Sequence, residues 1–120
     1  MKTVTCKTKT RGNIAEDQAC EFLQKQGLKL IEKNYTCRTG EIDLIMQDKQ
    51  ALVFVEVRYR AKNEYGSALD SVDQHKIKKL ISAANHYITN QYIDQPMRFD
   101  VIGFDASNKP NWVKNAFSAF

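Results

Sequence analysis

The chain has 120 residues and a formal net charge of +4 at pH 7; 42% of its residues are hydrophobic and 27% are charged. This length suits one globular domain, and the composition excludes an intrinsically disordered chain. The longest apolar run, Ala51 to Val55, has the length of a strand and is far too short for a membrane helix, so we expect no membrane association.

The N-terminal residues and the cysteines bear on the cellular compartment. Residues 1–11 are polar and basic and lack the apolar stretch of a secretory signal, so we expect a flexible arm there and a single domain over residues 12–120. The three cysteines, Cys6, Cys20 and Cys37, form no CxxC pair, which argues against a disulfide framework and a zinc site. We therefore expect a cytoplasmic protein with reduced thiols.

The first elements are a helix and a strand. Asn13 is a suitable N-cap, and Glu16 follows it at capping-box spacing. Apolar residues then recur at helical spacing until Gly27, which is typical of a helix C-terminus. Leu28 to Tyr35 is predicted to be the first strand.

Two strand-like runs in the middle of the chain predict a hairpin. They cover Glu41 to Gln47 and Leu52 to Arg60 and are separated by three polar residues. Apolar side chains alternate along each run, so each run should present one apolar face to a core. These alternating residues are Ile42, Leu44 and Met46 in the first run and Val53, Val55, Val57 and Tyr59 in the second.

The register of the hairpin follows from placing both apolar sets on the same face. A two-residue turn at Lys49–Gln50 satisfies this condition and sets Asp43 directly opposite Glu56. A turn placed one residue earlier would set Glu41 opposite Glu56 instead. A carboxylate therefore faces Glu56 in either register.

The second half of the chain predicts a helix followed by a strand. Ser71 to Gln74 has the capping-box pattern and begins a long helix, and Met97 to Phe104 forms the last strand. Strand, helix and strand in succession imply a crossover, so this strand should run parallel to the second strand of the hairpin. The order helix–strand–strand–strand–helix–strand predicts a single-domain α/β fold with a mixed sheet covered by helices. The buried stripe of the long helix is expected at Ile77, Leu80, Ile81, Ala84 and Ile88.

Acidic side chains are expected to meet on one face of the hairpin. Asp43 and Glu56 would be cross-strand neighbours, with Cβ atoms about 4.5–5.5 Å apart, and Arg58 would lie beside Glu56. Facing carboxylates repel each other unless a cation joins them, and Arg58 or a divalent metal could do so. Two carboxylates with open coordination positions suit Mg²⁺, or Mn²⁺, with further oxygens supplied by a phosphate. The pattern predicts metal-assisted phosphodiester hydrolysis; the alternative is a solvated sheet face with alternating charges.

Two stretches carry a resemblance to a known family. Gly40-Glu-Ile-Asp-Leu-Ile45 and Val53-Phe-Val-Glu-Val-Arg58 resemble the YraN family of uncharacterised bacterial proteins, which has a restriction-endonuclease-like, PD-(D/E)xK fold. The resemblance covers nearly the whole chain from Gly12 onward. The family is similar to archaeal Holliday-junction resolvases. This similarity implies a nuclease or a branched-DNA partner and, by analogy, a symmetric homodimer.

The resemblance also implies roles for individual residues. Asp43 and Glu56 correspond to the two metal-binding acids, and Glu16 corresponds to a helix-borne acid of resolvase-like members, although capping would explain Glu16 equally well. The nuclease signature has lysine two residues after the second acid, where this chain has Arg58. An arginine can hold a phosphate, but it cannot act as a base in a protein.

A different lysine could replace the missing one. Lys76 lies one turn after Val72 and one turn before Leu80, a position that would point it toward the sheet. The alternative is an ordinary solvated lysine. Gln74 could orient water or DNA, although its place in the capping box accounts for it too.

Basic residues cluster in the arm, after the hairpin and on the long helix, which predicts binding to a polyanion, with nucleic acid as the first candidate. Three functions remain open. They are a Mg²⁺-dependent endonuclease, a catalytically silent nucleic-acid-binding module of the same fold, and a small interaction protein. The residues assigned to nucleic-acid binding are Arg11, Arg58, Arg60, Lys62, Gln74 and Lys78.

Overall fold

The computed structural model describes residues 14–59, 68–105 and 107–118. Two helices and five strands make up this part of the chain, with a short 3₁₀ turn before the second helix. In chain order they are α1 (Ile14–Lys25), β1 (Lys29–Cys37), β2 (Gly40–Asp48), β3 (Ala51–Tyr59), the 3₁₀ turn (Ala68–Ser71), α2 (Gln74–Gln91), β4 (Met97–Phe104) and β5 (Pro110–Phe117).

The strands form one five-stranded mixed sheet in the order β1-β2-β3-β4-β5. All neighbouring strands are antiparallel except β3 and β4, which are parallel and joined through α2. The α/β fold and the predicted order of the first six elements are confirmed. β5 was not predicted, because its alternation is weak and its sequence contains a proline, two asparagines and a lysine.

Each helix covers one face of the sheet. Ala19 and Leu23 of α1 pack in one core with alternate residues of β2 and β3, such as Leu44 and Val55. On the other face, α2 contributes the apolar stripe that the sequence predicts; its members pack with Ile45 and Phe54, and they are Ile77, Leu80, Ile81, Ala84 and Ile88.

Ile42 departs from the predicted alternation. It belongs to the core under α2, whereas Leu44 belongs to the core under α1, although residues two apart in a regular strand share a face. The neighbouring strand changes face at the same level, since Lys33 reaches Asp17 of α1 while Tyr35 packs on Tyr87 of α2. Between them Asn34 has a φ of 55°, a left-handed conformation that interrupts the pleat. The expectation that Ile42 points with Leu44 and Met46 is therefore wrong.

The N-terminus of α2 also differs from the prediction. Asp73 is the N-cap, and its Oδ1 accepts a hydrogen bond of 2.8 Å from the Lys76 backbone N–H. Ser71, the predicted cap, lies in the 3₁₀ turn and donates its hydroxyl to the Ala68 carbonyl at 2.6 Å. The helix thus begins two residues later than expected, and Gln74 is its first residue. The other predicted cap, Asn13, lies outside the described residues, whereas Gly27 ends α1 with a φ of +100° as expected.

Membrane-spanning helices and the state of the cysteines were two further subjects of the sequence predictions. No helix in the described ranges is both long enough and apolar enough to cross a membrane. Cys37 is a free thiol, but Cys20 of α1 is disulfide-bonded, so the expectation of reduced thiols is wrong for Cys20.

Gly40 lets the start of β2 approach α2 closely. A Cβ atom at Gly40 would lie 2.6 Å from the Lys79 carbonyl oxygen, a distance that real Cβ contacts do not reach. Because this oxygen belongs to the helix backbone, it cannot swing aside as a side chain could.

We therefore expect Gly40→Ala to lower the free energy of unfolding by about 1–3 kcal/mol, because the helix must shift to admit one methyl group. Chemical denaturation measures this loss. Lys79→Ala is the matched control: it trims the side chain, keeps the carbonyl and should not rescue Gly40→Ala in the double variant. Unchanged stability of Gly40→Ala would show that the contact is not a constraint.

Candidate active site

Asp43 lies where β2 and β3 separate. The two strands are paired from Asp48 and Ala51 at the turn up to Leu44 and Val55, a register whose next pair would be Asp43 and Glu56. This is the register predicted with a turn at Lys49–Gln50. Instead of continuing the backbone ladder, the Asp43 carboxylate accepts a hydrogen bond of 2.9 Å from the Val57 backbone N–H. The side chain is thereby fixed in the gap between the strands.

Glu56 approaches Asp43 from the α2 side of the sheet. Only 3% of its side chain is exposed, and its Oε2 lies 3.6 Å from Arg58 Nη1 and 3.7 Å from Lys76 Nζ. Its Oε1 is buried and has no hydrogen-bond partner among the described residues. Burial, followed by the negative charge of Asp43, raises the pKa of Glu56 to about 8, and the charges of Lys76 and Arg58 oppose that rise.

Glu16 approaches Asp43 from α1. It is buried, and its side chain is hydrogen-bonded with Asp43 and with Asn34 of the kinked part of β1. Burial and the adjacent Asp43 carboxylate raise the pKa of Glu16 to about 7, while the Asn34 hydrogen bond opposes the rise. Glu16 therefore keeps its proton to a higher pH than an ordinary glutamate.

Glu41 also belongs to this cluster, although it was not among the predicted site residues. Carboxylate oxygens of Glu16, Glu41 and Asp43 all lie within 4.8 Å of one another. From the sequence, Glu41 was expected near the site only in the alternative register, where it would face Glu56. Its spacing two residues before Asp43 was the available signal, because residues i and i+2 of a strand point the same way.

Of the other predicted site residues, some contact the carboxylates and others lie away from them. Arg58 and Lys76 both reach Glu56, and Arg58 Nε also donates to Ser71 Oγ at 3.3 Å. Gln74 instead lines a cavity of about 350 Å³ next to β5, and Lys78 is exposed on α2 without a described contact to the carboxylates. The other predicted DNA-binding residues lie outside the described residues; they are Arg11, Arg60 and Lys62.

Comparison with known proteins identifies the family of the chain. The model of the uncharacterised protein family UPF0102 matches residues 15–104, which contain all four acids of the cluster. The chain belongs to this family. The resemblance to the YraN family, which is the same family, is thus confirmed.

Individual UPF0102 proteins are similar to this chain over most of their length. The protein of Nitrosococcus oceani is 46% identical, and the alignment covers 98% of this chain and 97% of that protein. The protein of Nitrosomonas eutropha is 50% identical, with 92% and 95% covered. That of a Janthinobacterium species is 50% identical, with 90% and 87% covered. The similarity therefore extends over the whole described sheet.

The raised pKa values of Glu16 and Glu56 predict how stability depends on pH. The folded protein retains protons on both groups that the unfolded chain, with an ordinary glutamate pKa of 4.5, releases. In EDTA, the free energy of unfolding should therefore fall as the pH rises from about 5 to about 8, because the folded state binds more protons in that window.

The prediction is tested by urea denaturation at several pH values in EDTA. Glu56→Gln should make the fall shallower, since glutamine cannot ionise and only the contribution of Glu16 remains. Glu21→Gln, at an exposed position of α1, is the matched control and should follow the wild type. Equal slopes for the wild type and Glu56→Gln would contradict the prediction.

Proposed function

We propose that the protein is a Mg²⁺-dependent endonuclease that hydrolyses phosphodiester bonds in DNA. The observation that carries this proposal is the meeting of Glu16, Asp43 and Glu56 in the gap between β2 and β3, with Lys76 beside Glu56. Carboxylates in a buried group repel one another, and their oxygens are the ligands that Mg²⁺ prefers.

The donor set fits a hard divalent cation. Glu56 Oε1 is buried and has no hydrogen-bond partner within residues 14–59, 68–105 and 107–118, and buried polar atoms in proteins are rarely left so. Asp43 and Glu56 are the proposed ligands, with Glu16 in support. A bound Mg²⁺ would supply Lewis-acid chemistry, polarising the phosphodiester and acidifying water.

The two cationic side chains near Glu56 would bind the phosphate and orient the attacking water. Arg58 occupies the position of the signature lysine, where its guanidinium can bind a phosphate through two N–H groups. Lys76 reaches the same carboxylate from α2, so it is proposed to take the place of that lysine and to orient the attacking water. Removing a group that transfers or orients a proton typically costs 10²–10⁴-fold in rate.

A second candidate function is a catalytically silent DNA-binding module. It is favoured by the ion pairs of Arg58 and Lys76 with Glu56, because these two cations compensate the buried carboxylate without a metal. On this view Arg58→Ala would destabilise the fold, and divalent ions would leave the melting temperature unchanged.

The cleavage experiment separates the two candidates. Linear, flapped and four-way DNA are incubated with the protein and Mg²⁺ or Mn²⁺. We expect cleavage that falls at least about 100-fold in Asp43→Ala and Lys76→Ala and rises in Arg58→Lys, which restores the signature. Glu21→Gln is the control and should retain activity. If none of the three substrates is cleaved and Mg²⁺ does not change the melting temperature, the endonuclease proposal is wrong. The DNA-binding module is then the better explanation.

DNA binding itself is tested by its salt dependence. Lys78 is exposed on α2 and is one of the cations assigned to nucleic-acid binding, so it is expected to contact a DNA phosphate and release a counterion on binding. Lys78→Ala should lower the slope of log affinity against log salt by about 1. Lys29→Ala is the control, because Lys29 pairs with Gln47 near the opposite end of β2. Equal slopes for Lys78→Ala and the wild type would contradict this contact.

A further inference from the structure

Arg58 contacts both an acid and a hydroxyl. Its Nη1 lies 3.6 Å from Glu56 Oε2, and its Nε donates a hydrogen bond of 3.3 Å to Ser71 Oγ. A guanidinium that is hydrogen-bonded to a carboxylate approaches it to about 2.7–2.9 Å. The contact between Arg58 and Glu56 is therefore longer than a hydrogen-bonded ion pair, whereas the contact between Arg58 and Ser71 is a hydrogen bond.

The Ser71 hydroxyl is oriented to accept from Arg58. It donates its proton to the Ala68 carbonyl at 2.6 Å, so its lone pairs remain for the guanidinium. The Ala68 backbone N–H in turn donates to Asn111 Oδ1 of β5. The 3₁₀ turn that carries Ser71 is thus anchored to the sheet and presents a fixed acceptor to Arg58.

The position of Arg58 decides how much of the Glu56 carboxylate is left for another cation. Glu56 is only 3% exposed, and its Oε1 has no hydrogen-bond partner in the part of the chain that the structure describes. A movement of the guanidinium by less than about 1 Å would bring it to hydrogen-bonding distance of this carboxylate. Arg58 would then use the oxygen lone pairs that a divalent cation requires.

We propose that Ser71 is a positioning residue whose hydroxyl holds the Arg58 guanidinium away from Glu56 and keeps that carboxylate available to a divalent cation. The cation rests on the function proposed above, whereas the restraint on Arg58 rests on the two hydrogen bonds of the Ser71 hydroxyl. Without the hydroxyl, Arg58 closes on Glu56 and competes with the cation. The alternative is that Ser71 only closes the 3₁₀ turn, in which case its loss lowers stability and leaves cation binding unchanged.

The affinity for Mn²⁺ tests the proposal without measuring cleavage. Free Mn²⁺ is followed by electron paramagnetic resonance while it is titrated into the full-length protein. Ser71→Ala should bind Mn²⁺ about 10-fold more weakly than the wild type, as is typical when a residue that orients the surroundings of a metal ligand is removed. Ser71→Thr keeps the hydroxyl and should retain the wild-type affinity. Ser82→Ala is the matched control and should retain it too, because it removes an α2 hydroxyl that donates to Thr39 Oγ1 instead.

Arg58→Ala shows whether Ser71 acts through Arg58. This variant keeps the turn and removes the competing guanidinium, so it should bind Mn²⁺ at least as tightly as the wild type. Adding Ser71→Ala to it should change the affinity no further, since effects that pass through one shared residue are not additive. If Ser71→Ala is too unstable to titrate, Arg58→Ala decides alone: weaker binding than the wild type overturns the proposal, and equal or tighter binding upholds it.

The outcomes separate this proposal from the nuclease. Equal Mn²⁺ affinity of Ser71→Ala and the wild type, or a loss that persists in the Arg58→Ala background, overturns the role of Ser71. A loss that disappears in that background, without cleavage of any DNA by the wild type, upholds the role of Ser71 and contradicts the endonuclease. Cleavage by the wild type, with an Mn²⁺ affinity that Ser71→Ala leaves unchanged, does the reverse. A wild-type protein that binds no Mn²⁺ overturns both.

Discussion

The hydrogen bond from the Val57 N–H to Asp43 is the interaction around which the candidate site is arranged. It replaces the next rung of the β2–β3 ladder, so the carboxylate lies between the strands rather than on one face. A side chain on one face could meet only the helix covering that face. From the gap, Asp43 meets Glu16 of α1 and Glu56 on the α2 side.

Asp100 is a buried carboxylate outside the candidate site, and both of its oxygens accept hydrogen bonds. Asp100 accepts hydrogen bonds from Arg98 Nε and Nη2, from Trp112 Nε1 and from the Asn115 backbone N–H, at 2.9–3.1 Å. Both of its oxygens are used, and it ties β5 to the sheet. Glu56 is buried to a similar degree, but its Oε1 has no hydrogen-bond partner among the described residues, and the proposed cation site rests on this difference.

Much of the fold follows from local rules in the sequence, and the exceptions have identifiable causes. Parity limits the hairpin to registers that place either Asp43 or Glu41 opposite Glu56, and the structure shows the register with Asp43. The change of face at Ile42 could not be inferred, because it depends on Asn34 in a neighbouring strand. β5 supplies two of the partners of Asp100, and its apolar residues occur in adjacent pairs rather than in alternation, so hydrophobic periodicity could not reveal it.

The close approach of Gly40 to the Lys79 carbonyl has a consequence for how the two halves of the site are spaced. Gly40 is three residues before Asp43 on β2, and Lys79 is three residues after Lys76 on α2. One backbone contact thus acts as a spacer between the strand that carries the acids and the helix that carries the lysine. A spacer without a side chain has no rotamers, so it transmits any shift of the helix directly to the distance between lysine and carboxylate. Tolerance to substitution should therefore be lower at this distant glycine than at many residues nearer the charges.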